Sequence, residues 1–182
     1  MVTWRLHLAV LGLYLVFALG LTWPMAAGLT SHYYTGGNFI FYYPTSPDAP
    51  QNIWNFWMAE RALRAGQSPL ATPLLYYPEG VQMILQTLNL VAVLMAVPVT
   101  ASLGPVAAYN VTGIVAVMLT GYAGFLLTRA FVPGLVGPLL AGALLTASPF
   151  HVAKLDAGQL NFVTMQWLVF FMLAFIVLER GQ

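Results

Sequence analysis

The sequence predicts an all-α membrane protein with about five hydrophobic helices, four to five of them full spans. Of its 182 residues, 60% are hydrophobic and 6% charged, against about 25% charged in soluble domains. The apolar residues gather into long runs, and only structures that satisfy their own backbone can cross a bilayer. A third observation adds short interfacial helices in a first external loop. Residues 31–80 hold Asp48, Glu60 and Glu79, three of the five acids, together with Arg61 and Arg64. The whole chain reads as one membrane domain: 1–30 the first span, 31–80 the loop, 81–182 a helical bundle.

Composition also excludes several classes. A formal net charge of +1 offers no basic face for nucleic acid. The absence of cysteine excludes disulfides, thiolate catalysis and cysteine-ligated metals. His7, His32 and His151 lack the close spacing of a metal-binding helix. No cofactor is predicted; a divalent metal is compatible with the chain but not indicated.

Leu6 to Leu29 is the first apolar run, long enough to cross at about 20 residues. Ala26-Ala27-Gly28 resembles a cleavage site, but the length of the run and Trp23-Pro24 favour an uncleaved span. Arg5 places the N-terminus in the cytoplasm under the positive-inside tendency. In the loop, Tyr33-Tyr34 and Phe41-Tyr42-Tyr43-Pro44 suit chain lying along the membrane surface. Pro50 to Ala65 reads as an interfacial helix begun by proline and stopped by Gly66. Trp54, Trp57 and Met58 share one of its faces, and Glu60 and Arg64 pair at i, i+4.

The remaining runs are Val81–Leu103, Val106–Leu127, Val132–Phe150 and Phe162–Leu178. Gly121-Tyr122-Ala123-Gly124 supplies small residues for helix packing. Asn110-Val111-Thr112 matches a glycosylation acceptor, but lies inside an apolar run and reads as chance.

Two polar segments carry the candidate chemistry. Asp48, between Pro47 and Pro50, reads either as a helix N-cap or as a carboxylate held at the membrane surface to act as general base. Glu79 sits in Tyr77-Pro78-Glu79-Gly80 and reads as a turn residue or a site residue. The second segment runs from His151 to Asn161, with Lys154, Asp156 and Gln159. It is an inter-helix loop or, since ionisable groups near membrane depth are costly, a functional site for an anion or a proton. If all three runs between residues 81 and 150 cross fully, Asp48 and Asp156 fall on opposite faces. A partial run would reunite them, and the proline- and glycine-rich fourth run is the expected one.

The order of these parts resembles the N-terminal half of the GT-C superfamily of integral-membrane glycosyltransferases, over roughly residues 5 to 180. The likeness lies in a first span, an aspartate-bearing loop, the Tyr-Pro-Glu-Gly segment, spans ending in Ala147-Ser148-Pro149-Phe150, and a polar segment with an acid. It implies an enzyme of the cell envelope that transfers sugar from a polyprenyl-phosphate-linked donor to an acceptor at the outer face of a bacterial plasma membrane. Asp48 would match the catalytic base and Asp156 the second-loop acid. Glu79, His151, Lys154, Gln159 and Asn161 would contact donor or acceptor. The chain would then be the N-terminal module of a longer fold, its partners being membrane lipid, the sugar donor, and a C-terminal half or second membrane subunit. The competing expectation is a non-catalytic membrane subunit that binds lipid or assists a transporter. A proton-coupled carrier is disfavoured, because no charged residue lies between Val81 and Leu127.

Overall fold

A computed structural model describes residues 4–33 and 48–181. Among the described residues the regular structure is helical, apart from one two-stranded ribbon. Four helical segments are long and apolar enough to cross a membrane: Trp4–Leu21, Pro105–Arg129, Val136–Asp156 and Leu160–Arg180. This is the architecture of an integral membrane protein. The surface aromatics expected over residues 34–44 fall outside the described residues, Tyr33 excepted.

Helix α1, Trp4–Leu21, is apolar beyond Arg5 and His7, with Tyr14 among its buried residues. It stops eight residues before the end of the apolar run, followed by turns through residues 22–31. Helix α2, Asp48–Arg64, confirms the loop helix and begins two residues before the expected Pro50. Pro50 still lies in the first turn, where a missing N–H leaves no bond unmade. The Arg64 guanidinium pairs with Glu60 as the spacing predicts, Nε to Oε1 at 2.8 Å.

The buried face of α2 is not the tryptophan face. Asn52, Phe56 and Ala59 are buried, together with Asn55 and Met58, whereas Trp54 and Trp57 are half-buried. A short antiparallel ribbon of β1, Ala71–Thr72, and β2, Val81–Gln82, follows. A single 3-10 turn over Met83–Leu85 and a short loop lead to α3, Leu90–Leu103.

The partial run is therefore the second one, not the fourth. Only 14 residues of it are helical, about 21 Å at 1.5 Å per residue, short of the roughly 30 Å hydrocarbon core. Residues 81–85 go instead to the ribbon and the 3-10 turn, and Asn89 starts the helix by accepting from the Ala92 amide at 3.3 Å. Gly104, at φ +90°, reverses the chain, a conformation that favours glycine. Pro105 then opens α4, Pro105–Arg129, the 25-residue central helix.

Helix α5, Val136–Thr146, and α6, Pro149–Asp156, form one kinked span, interrupted where Ser148 caps and Pro149 begins the second piece. The last span is likewise broken, into α7, Leu160–Val163, and α8, Gln166–Arg180.

Helix α4 is the post around which α1, α3, α5 and α8 pack. The small residues expected at 121–124 serve that packing. Gly124 approaches the Gly142 backbone, and Gly121 lies under Tyr14 and Thr146. Tyr14 also donates to the Leu139 carbonyl at 2.9 Å. Asn110 is fully buried and donates to the carbonyls of Leu29 and His32 at 2.9 and 2.8 Å. It staples α4 to the end of the first apolar run, which confirms that its glycosylation pattern is chance.

His7 bonds Tyr122 at 2.7 Å, and Arg180 donates to the Ala130 carbonyl at 2.5 Å. The start of α1 and the ends of α4 and α8 therefore share one end of the bundle, with Arg5, Arg129 and Arg180. Arg61, Arg64 and Lys154 belong to α2 and α6, elements of the other end. The six basic residues thus divide equally, and their distribution alone does not orient the chain.

A methyl group added at Gly142 meets the Tyr14 hydroxyl and the Gly121 carbonyl, whereas one added at Gly20 meets nothing within 4 Å. Gly142→Ala is expected to destabilise the fold by about 1–3 kcal/mol by overpacking. Gly20→Ala should be neutral or slightly stabilising. Thermal unfolding in detergent micelles compares the two, and equal effects would contradict the packing described.

Candidate functional site

The polar segment after α5 is mostly helix, and it closes onto the start of α2. Gly158 turns the chain between α6 and α7 at φ +68°, with its Cα against Ala49. Asn52 Nδ2 donates to the Asp48 carbonyl at 2.9 Å and to the Gly158 carbonyl at 3.2 Å. Two segments 106 residues apart in sequence are thereby held together by an amide and a glycine contact.

Beside this contact lies a hydrogen-bonded chain of side chains. Lys154 Nζ donates to Gln159 Oε1 at 2.7 Å, and Gln159 Nε2 donates to Asp48 Oδ2 at 2.8 Å. The ammonium stands over the rings of Phe162 and Phe150, at 4.7 and 5.7 Å from their centroids. Those rings meet edge to face at 6.4 Å. Cation–π attraction and the amide bond together fix a long, otherwise flexible side chain. Asp48 sits in the first turn of α2, where the helix dipole favours negative charge. Asp48, Lys154 and Gln159 are each half-buried.

The other candidates are placed differently. Asp156 is buried, at 3% exposure, in the last turn of α6. It lies two residues before the glycine that touches Ala49, so the two aspartates share one end of the bundle. His151 is buried, with Nδ1 2.9 Å from the Thr146 carbonyl and Nε2 2.9 Å from the Val163 carbonyl. It bridges the breaks in the two kinked spans. Asn161 is half-buried in α7, and its carbonyl accepts from Thr164 at 3.2 Å.

Glu79 is not brought to this cluster. It is exposed in the ribbon turn. It borders an open cleft lined by Gln67, Ser68 and both strands, while the ribbon faces Met58, Arg61 and Ala62 in the last turns of α2. The length of α2 thus separates it from Asp48. Among the described residues no three His, Asp or Glu side chains gather as a metal site would require.

Sequence reasoning passed over a row of amides. Gln51 donates to the Thr87 hydroxyl at 3.0 Å and Asn55 to the Thr87 carbonyl at 3.4 Å. Asn89 donates to the Thr164 hydroxyl at 2.8 Å. With Asn52, these residues seam α2, the loop before α3 and α7 into one layer. The available signal was the recurrence of Gln51, Asn52 and Asn55 on one side of a helix otherwise noted for its tryptophans.

Comparison with protein-family models, curated proteins and solved structures finds no match.

Single cysteines replacing Asp48 and Gln159 should react with a membrane-impermeant thiol reagent from one side of the membrane, and cysteines replacing Arg5 and Arg180 from the other. Labelling of 48 and 159 from opposite sides would contradict the contact. Gly158→Ala forces a side chain into a left-handed conformation and against Ala49. It should cost about 1–3 kcal/mol, read as a lowered unfolding temperature.

Proposed function

We propose that the chain is a membrane glycosyltransferase, or the N-terminal module of one, acting on a polyprenyl-phosphate-linked sugar. The observation that carries this reading is the chain from Lys154 through Gln159 to Asp48, which sets a carboxylate and a cation at one end of a membrane bundle. In the proposed reaction Asp48 takes the proton of an acceptor hydroxyl. The acceptor oxygen bonds to the anomeric carbon, and the carbon–oxygen bond to phosphate breaks. The phosphate leaves with the electron pair, its charge steadied by the Lys154 ammonium.

Gln159 orients the carboxylate, and Asp156 is the second acid that supports the site. The site would face outward from a bacterial plasma membrane, and a C-terminal half or a second membrane subunit would complete the acceptor side. The arrangement supports this reading over a carrier, because among the described residues Asp48, Lys154, Asp156 and Gln159 gather at one end of the bundle and no charged side chain lies between Val81 and Leu127.

In proteoliposomes supplied with a polyprenyl-phosphate-linked sugar, Asp48→Asn should lower turnover by about 10²–10⁴-fold, the usual contribution of a general base. Lys154→Met should also lower turnover, because the charge it steadies develops on the departing phosphate. Release of polyprenyl phosphate measures both. Undiminished turnover by Asp48→Asn would remove the assigned base, and inactivity of the wild-type protein joined to its C-terminal half or second subunit would favour a non-catalytic membrane subunit.

A further inference from the structure

The loop between α4 and α5 joins two segments long and apolar enough to span, so it lies at a membrane boundary. It reads Ala130-Phe131-Val132-Pro133-Gly134-Leu135 and holds no side chain that ionises or hydrogen-bonds. Phe131 is 59% exposed, and Val136, which opens α5, is 72% exposed. Apolar side chains uncovered at such a boundary gain by resting in the acyl edge of the bilayer instead of in water.

Arginines surround this loop. Arg180 donates to the Ala130 carbonyl and stands over the Phe131 ring, 4.6 Å from its centroid. Arg129 stands over Phe125 at 5.7 Å, and Phe125 stacks on Tyr122, the partner of His7 in α1. Two residues before His7, the exposed Arg5 lies 5.8 Å from the centre of the exposed Trp4 ring. A tryptophan there suits the headgroup level. Among the described residues none of the three arginines is in an ion pair. The acid on these elements is Glu179, beside Arg180, and the other four lie on α2, α6 and the ribbon turn. This end of the bundle therefore holds an excess of positive charge around an apolar loop.

We propose that this end docks on anionic phospholipid headgroups, the guanidinium groups of Arg129 and Arg180, with Arg5, taking their phosphates while the 130–135 loop rests in the acyl edge. Charge complementarity selects an anion, and the planar guanidinium fork matches a phosphate. The exposed apolar loop selects an anion that carries hydrocarbon chains. A zwitterionic headgroup also has a phosphate, but its own ammonium cancels the negative surface potential that attracts basic residues. The surface is at the opposite end from the Asp48 cluster and does not depend on the transferase reading.

The test uses the whole chain in nanodiscs of equal parts phosphatidylglycerol and phosphatidylcholine. Native mass spectrometry of the released protein should find phosphatidylglycerol retained about tenfold over phosphatidylcholine, the preference that one or two arginines at an anionic surface supply. A phosphatidylglycerol with a photoreactive headgroup should label residues 129–136. Arg129→Gln with Arg180→Gln should remove the preference, and Arg61→Gln with Arg64→Gln should leave it unchanged. Soluble glycerol phosphate should not displace the retained lipid. Equal retention of the two lipids by the wild-type protein, or label mapped to α2 in place of the loop, would overturn the proposal without any variant having to fold. Displacement by glycerol phosphate would overturn it in favour of a free-anion site, and a preference that survives loss of Arg129 and Arg180 would overturn the assigned residues.

Discussion

The constraint on which the rest of this structure depends is that each break in a membrane helix leaves carbonyl groups that lipid cannot satisfy. The chain breaks two spans, at 147–148 and at 164–165, and turns between them at 157–159, and side chains gather at those points. His151 faces the carbonyls of Thr146 and Val163. Asn110 takes those of Leu29 and His32, Asn52 those of Asp48 and Gly158, and Arg180 that of Ala130. Asn52, Asn110 and His151, all buried, are the side chains that meet these carbonyls.

Those same donors also decide where the polar cluster lies. A straight last pair of spans would carry Lys154 and Gln159 past one another on separate helices. The break at Gly158 instead turns α6 back towards α2. The carbonyl it frees is met by Asn52, which stands one turn from Asp48. The Lys154–Gln159–Asp48 chain is a by-product of that backbone repair. Stability and site therefore share residues: disturbing Gly158 or Asn52 moves the carboxylate as well as loosening the fold.

Much of this was legible along the chain. The runs at 6–29, 106–127 and 162–178 are hydrophobic beyond the needs of a soluble core, and each contains a spanning helix. Pro50 and Gly66 bracketed α2 to within two residues, because proline and glycine act locally through φ and the missing N–H. Glu60 and Arg64 paired as their spacing requires. The second run was misread because apolar content alone does not separate helix from ribbon, so the strand and 3-10 turn at 81–85 were hidden. The burial of Asn52 and Asn55 on α2 was not legible, because asparagine is buried only where distant carbonyls await it.

The sequence by itself determined that this is a helical membrane protein, roughly where it crosses, and which two segments are polar. These follow from transfer free energy and backbone stereochemistry, properties of residues and near neighbours. Tertiary structure decided that α3 stops short of a full span, that Asp48 and the 151–161 segment meet at one end of the bundle, and that Glu79 stands apart. It also decided that Gln159 joins Lys154 to the carboxylate, across a sequence separation of 111. That contact is set by packing around α4, and no local pattern records which distant partner a buried amide will find.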